Sequence, residues 1–189
     1  MIERVLVLIK PDGVERALIG KIVAAYEESG LKVIAMKMLI PTEKQASDHY
    51  IADEKWLKEV GEKSKKSYME KGIEVKESEI EIGMRIRNNL IRYLTSGPIV
   101  AFVLEGNNAI SVARKIAGST DSSKADPSTI RGRYSNDSYD LADSQGRALR
   151  NLVHVSDSRE TAEREISVWF SKEELISYKR ADEIAQYGR

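Results

Sequence analysis

Residues 5–40 read VLVLIKPDGVERALIGKIVAAYEESGLKVIAMKMLI, and this stretch decides the fold class. Residues 5–9 are an unbroken run of valine, leucine and isoleucine, short enough for a strand, and Pro11 with Gly13 stops it. Lys10 is thereby left at the rim of a sheet. Ile19, Ile22, Val23 and Tyr26 fall at the i, i+3, i+4, i+7 spacing of a helix with one buried face, which Ser29-Gly30 closes. A second strand follows over 32–40.

The same alternation returns later in the chain. Residues 99–104 read as an apolar strand after Ser96-Gly97-Pro98. Ala109, Val112, Ala113, Ile116 and Ala117 then mark a helix that Gly118 ends. Residues 152–155 form a further strand, and Asp157 or Ser158 can cap the helix that turns Ala162, Ile166, Trp169 and Phe170 inward. Between the two halves, Pro41-Thr42-Glu43 opens a helix carrying His49 and Tyr50. Residues 56–91 are rich in lysine and glutamate and read as a helical excursion with a solvated face, most loop-like at KGIEVKESE. Strands interleaved with helices predict a small α/β sandwich, one sheet with helices on its faces. A length of 189 residues suits a single domain carrying an insertion. Residues 118–150 are dominated by Ser, Asp, Gly and Arg without periodicity, the pattern of a functional loop or a disordered segment.

Thirty basic and thirty acidic residues cancel, so no global cationic field exists to bind nucleic acid or anionic membrane. Any anion site must be local. The absence of cysteine removes disulfides, thiolate metal sites and cysteine nucleophiles, and is compatible with a reducing compartment. The apolar runs VLVLI and IVAFVL are far too short to span a bilayer, and MIERV has no signal-peptide pattern, so a cytoplasmic protein is expected.

The familiar glycine-rich phosphate loops are missing. No Gly-x-Gly occurs, and the stretch from Gly13 to Gly20-Lys21 fails the P-loop pattern in spacing and in the residue after lysine. A nucleotide site would rest on side chains at element ends: Lys10, Arg114, Thr120, Arg131 and His154. Taken singly, the basic residues among them read as solvated surface charges; their joint placement at element ends is what singles them out. His154 interrupts the apolar run of NLVHVSDS (151–158), where a histidine is commonly structural. Glu165, three residues after Ala162 and four before Trp169, flanks the buried face of its helix. It has two readings: a surface glutamate beside Arg164 and Arg159, or a carboxylate that reaches His154, fixes its tautomer and frees the other ring nitrogen to attack. His49, the second histidine, is given no part, and its loss is expected to leave turnover nearly unchanged.

Three segments carry a family likeness. VLVLIKPDGVERALIGKIVAAYEESGLKVIAMKM, TIRG (129–132) and NLVHVSDSRETAEREISVWF resemble, in the same order, the N-terminal part, loop signature and active-site segment of nucleoside diphosphate kinases. The resemblance covers most of residues 1–60 and 90–178. Residues 61–88 and 138–148 look like additions similar to those of some archaeal members, and their polar makeup places them at the surface of one domain spanning 1–189.

The resemblance implies a ferredoxin-like α/β sandwich with an antiparallel sheet and a helical insertion, assembled as tetramers or hexamers. It implies a ping-pong transfer of the γ-phosphate from nucleoside triphosphates to nucleoside diphosphates through a phosphohistidine on His154. Glu165 would orient the imidazole and Ser156 would hydrogen-bond nearby. Lys10, Arg114, Thr120, Arg131 and Asn151 match family positions that hold phosphates and sugar, Lys10 with a catalytic part as well. Tyr50 matches a tyrosine lining the same cleft. The family aromatic that stacks on the base has no gapless counterpart, and Trp56 is the nearest substitute, although it would equally serve to pack the insertion on the core. Mg²⁺ would arrive on the nucleotide phosphates, with no protein metal cage. Val155, Arg133 and Ser128 depart from the family pattern of Gly or Ala, Asp, and Gly. The alternative is a catalytically inactive sandwich that senses a ligand or binds RNA. RNA-binding sandwiches carry exposed aromatics on their strands, and the strands here offer only Phe102.

Overall fold

The computed structural model describes residues 2–188. β1 (Ile2–Ile9) lies inside a four-stranded sheet with β2 (Lys32–Leu39), β3 (Ile99–Asn107) and β4 (Val153–Val155), in the order β2-β3-β1-β4. Every pairing is antiparallel. β1 meets β3 from Ile2 opposite Asn107 to Ile9 opposite Val100, and meets β4 with Leu8 opposite His154. The apolar run of β1 is explained by burial on both faces. Val5, Val7 and Ile9 pack beneath α2 (Ile19–Glu28) and α6 (Ala109–Ala117), against Ile22, Tyr26, Ala113 and Ala117. Leu6 and Leu8 face the other layer, where Ala46, Leu94, Ile166 and Trp169 come from α3 (Glu43–His49), α5 (Glu79–Leu94) and α9 (Arg159–Trp169). Burying each such aliphatic side chain stabilises the fold by about 1.5–3 kcal/mol. The succession β1, α2, β2, β3, α6, β4 is the β-α-β-β-α-β order of a ferredoxin-like sandwich, as the resemblance implied.

Pro11 does more than stop β1. It occupies the first turn of α1 (Pro11–Glu15), where its fixed φ suits a helix and its missing N–H is no loss. α3 begins at a reciprocal cap between Thr42 and Gln45, and Ser158 rather than Asp157 caps α9. α4 (Glu54–Glu70) and α5 form a hairpin joined by residues 71–78, most of the stretch KGIEVKESE. The two helices touch at glycines: a Cβ on Gly61 would stand 1.8 Å from the Glu79 carbonyl, and one on Gly83 2.2 Å from that of Leu57. No side chain fits there.

The polar stretch 118–150 is more ordered than its composition suggests. It holds a 3₁₀ turn at Ser122–Lys124, then α7 (Ile130–Tyr134) and α8 (Tyr139–Ser144). Helices of five or six residues are too short to show periodicity. Side chains hold them instead: Thr129 accepts from the Gly132 N–H, Ser138 from that of Leu141, and Arg147 makes two bonds to Asp137 at 2.6 and 2.9 Å. α8 falls within the expected loop extension and is tied to the hairpin by the Lys71–Asp140 ion pair. β4 is one residue shorter than read, because Leu152 has φ +69° and lies outside the strand. Residues beyond α9 run along the outer edge of β2, where the Ile176 N–H bonds the Ile34 carbonyl at 2.8 Å, and end in α10 (Glu183–Tyr187). Further along that edge Met36, Met38 and Ile40 are exposed.

Candidate active site

The ends of β1 and β4 open into a cleft of about 1120 Å³. The junctions after β1 and α6, the short α7, the start of α4 and one face of α9 all contribute to it. Lys10, Tyr50, Trp56, Arg114, Thr120, Arg131, Asn151, His154 and Glu165 line it, nine of the ten residues singled out from sequence. The tenth, Ser156, is fully buried beneath it.

His154 is half-buried at the middle of β4, and its Nε2 lies 2.8 Å from Glu165 Oε2. Ser156, two residues on and so on the same side of the strand, donates its hydroxyl to the same oxygen at 2.6 Å. Glu165 is 3 % exposed, so the first of its two readings, a surface residue, is overturned. Its place follows from helix geometry, since Ala162, Glu165, Ile166 and Trp169 form the buried face of α9. Burial by itself would raise its carboxyl, but the neighbouring imidazole, the hydrogen bond it shares with His154, and then His49 and Ser156 hold it down to about 2. The group is therefore a carboxylate, able only to accept. His154 must carry its proton on Nε2, which leaves the lone pair of a neutral ring on Nδ1.

The cationic side is built from backbone ties. Lys10 is 5 % exposed, and its Nζ donates to Asn151 Oδ1 at 2.6 Å. Burial, then the facing charge of Arg131, lowers Lys10 to about 7 against the pull of Asp12. Asn151 in turn donates to the Thr120 carbonyl at 2.8 Å. Arg131 spreads its guanidinium over three carbonyls, those of Gly118 (2.7 Å), Val153 (2.9 Å) and Asn151 (3.3 Å). Three of its five N–H groups are so engaged and two remain for a ligand. Burial lowers its pKa. Arg114, exposed in the last turn of α6, makes no hydrogen bond or ion pair with any described residue. Trp56, half-buried at the start of α4, and Leu90 of α5 form an apolar part of the wall.

His49 was missed. It is 2 % exposed, its ring stands edge-on 4.4 Å from that of His154, and its Nδ1 accepts from Trp169 Nε1 at 3.3 Å. Burial, then His154, holds it well below the ordinary histidine range, so it stays neutral. The signal available was its position three residues after Ala46, on the buried face of α3. Arg164 was read only as a surface neighbour of Glu165; it bonds the carbonyls of Asp48 and His49 and reaches Glu165 Oε1 at 3.4 Å. Of the departures, Val155 is buried in the layer of α2 and α6. Ser128 closes a turn on Asp126, and Arg133 is exposed over the ring of Tyr134.

A carboxylate-held imidazole facing a lysine and two arginines, on a ferredoxin-like sandwich, is the apparatus of a phosphotransferase. The sequence profile of the nucleoside diphosphate kinase family matches residues 3–76 and 79–175. A nucleoside diphosphate kinase of Pyrobaculum aerophilum is 44% identical over 180 residues, spanning 93% of this chain and 98% of its own. One of Borreliella burgdorferi is 36% identical over 187 residues, 99% of this chain and 98% of its own. The crystal structure of an NDP kinase from Pyrobaculum aerophilum superposes with a TM-score of 0.91 at 42% identity, covering 94% of this chain and 100% of that one. The chain belongs to the nucleoside diphosphate kinase family, and it is a kinase that moves phosphate between nucleotides.

Proposed function

We propose that the chain moves the γ-phosphoryl group from a nucleoside triphosphate to a nucleoside diphosphate in two steps, through a phosphohistidine on Nδ1 of His154. The observation that carries this reading is the Glu165–His154 bond, which commits Nε2 as donor and frees Nδ1 at the cleft. In the first step the Nδ1 lone pair forms the N–P bond as the bond from γ-phosphorus to the bridging oxygen breaks, and the diphosphate leaves. The phosphorylated ring keeps its Nε2 proton and carries positive charge, which the carboxylate of Glu165 stabilises. A terminal phosphate oxygen of the second nucleotide then attacks phosphorus and the N–P bond breaks. Lys10, Arg114 and Arg131 offset charge spread over the equatorial oxygens, an effect worth about 2.7–4 kcal/mol per group by analogy with oxyanion donors. A solved structure of a Borrelia burgdorferi relative holds vanadate and ADP as a transition-state mimic, which supports the same chemistry here.

Mg²⁺ enters, in this proposal, on the nucleotide phosphates, and supplies charge neutralisation there. His49, His154 and Glu165 form the one group of three potential metal ligands found among the described residues, and it is mostly imidazole nitrogen. A hard ion that prefers oxygen is poorly matched by it. Trp56 and Leu90 offer the base an apolar surface without a fixed hydrogen-bond pattern, so all common bases should be accepted. The exposed Met36, Met38 and Ile40 alternate along the open edge of β2 and suit burial against a second copy, in a tetramer or hexamer. No helix among the described residues is long and apolar enough to cross a membrane, and the cytoplasm is the proposed location. Residues 61–88, within the α4–α5 hairpin, and residues 138–148 are proposed as additions to a single domain.

Incubation with labelled ATP and Mg²⁺ should give an acid-labile, alkali-stable phosphoprotein that passes its label to GDP. Equal labelling of His154→Ala would sink the mechanism.

A further inference from the structure

Leu152 is strained, and part of what holds it lies outside the cleft. Its φ is +69°, and the Val153 N–H closes on the Asn151 carbonyl at 2.8 Å, a three-residue turn of the rare, unfavourable hand. The turn sets two things at once. It projects Asn151 toward Lys10, and it starts the strand whose second residue is His154. Both backbone groups of Leu152 are held by the segment after β1: its carbonyl accepts from the Lys10 N–H at 2.8 Å, and its N–H donates to Asp12 Oδ2 at 3.2 Å. The other oxygen of Asp12 accepts from the hydroxyl of Tyr93, in the last turn of α5. Burial, then the charge of Asp12, pushes that hydroxyl far above the ordinary tyrosine range, so it remains a donor. The same ring lies 5.4 Å from Lys10 Nζ. Neither Asp12 nor Tyr93 is among the residues lining the cleft.

We infer that Asp12 and Tyr93 are positioning residues: a hydrogen-bonded brace that keeps the Leu152 turn closed and so aligns Lys10, Asn151 and His154 for phosphoryl transfer. The inference rests on the phosphohistidine reading above. Tyr93 ties α5 to the reaction centre through one hydroxyl, and Asp12 spends one oxygen on each side. Displacing reacting groups by about an ångström costs on the order of a hundredfold in rate, so a brace of this kind acts on turnover more than on binding.

Tyr93→Phe keeps the ring beneath Lys10 and removes only the hydroxyl. It should lower kcat between about tenfold and a hundredfold while KM changes by less than about threefold. Asp12→Ala should lose at least as much, and Asp12→Asn, which can still accept from Leu152 and donate to Tyr93, should recover most of it. The ¹⁵N signals of the His154 ring should shift in Tyr93→Phe without any nucleotide present. A folded Tyr93→Phe protein with the parent's kcat and unshifted His154 signals, merely less stable to heat, would overturn the brace. A parent protein that turns over nucleotides without a phosphohistidine would instead defeat the underlying mechanism, and the two failures are read from different proteins.

Discussion

Lys10 should make nucleotide binding take up a proton. In the free protein, burial and the charge of Arg131 hold this lysine at about 7, whereas an ordinary lysine titrates at 10.5. The sign follows directly: Lys10 loses its charge as pH rises through about 7, and a bound diphosphate favours the charged form and restores it. At pH 8 only about a tenth of the free protein carries the charge, so each ADP bound should bring about 0.9 proton with it. Between pH 8 and 9 the charged fraction falls about tenfold further, and affinity should weaken by the same factor, about 1.4 kcal/mol. Both pH values lie above the titration of an ordinary histidine and of a terminal phosphate, which leaves Lys10 as the group being read. The assay is calorimetry of ADP on unphosphorylated protein, where nothing can be transferred, in buffers of differing ionisation heat. Lys10→Met should bind more weakly at pH 7 and lose the proton uptake. Equal uptake in Lys10→Met, or flat affinity from pH 8 to 9 in the parent, would refute the reasoning.

His49→Ala should cost about 2–4 kcal/mol in urea unfolding, because it opens a cavity and strips the buried Trp169 N–H of its acceptor. Contrary to the expectation from sequence, steady-state assays of the same variant should show turnover lowered by about tenfold or more, since the ring packs against His154. Gly83→Ala raises helix propensity by about 1 kcal/mol but forces α4 and α5 apart, for a net loss of about 1–3 kcal/mol seen as a lower Tm, with kcat retained. Trp56→Ala should raise KM for purine and pyrimidine diphosphates together, by about fivefold to a hundredfold if stacking is lost; dependence on a single base would argue against a stacking surface.

What could be read from the sequence follows how local each determinant is. The run over 5–9 and the spacing of Ile19, Ile22, Val23 and Tyr26 are continuous patterns, and they became β1 and α2, although β1 begins three residues earlier than read, at Ile2, where the apolar run has not yet started. His154, Lys10 and Arg131 stood out because they were read at element ends, where side chains can converge, although His154 proves to be the middle residue of the short β4. Glu165 stayed ambiguous because a helix flank can face either solvent or sheet, and only the seating of α9 on β1 decides between them. α7 and α8 were hidden because caps and one arginine pair, not periodic burial, hold them. The turn at Leu152 left no local trace at all. A leucine between Asn151 and Val153 reads as strand, and its φ is imposed by Asp12 and Lys10, some 140 residues earlier in the chain.

The three carbonyl bonds of Arg131 divide the cleft into halves that differ in evolvability. On the proposed phosphate side, residue 131 ties together the chain at 118, 151 and 153 besides its proposed part in binding the ligand, so a substitution there is penalised twice. On the proposed base side, Trp56 and Leu90 stand on a hairpin that takes no part in the pairing of the strands. Laboratory selection for a new base preference should therefore accumulate changes along α4 and α5, while the loop from 118 to 131 stays fixed through every round.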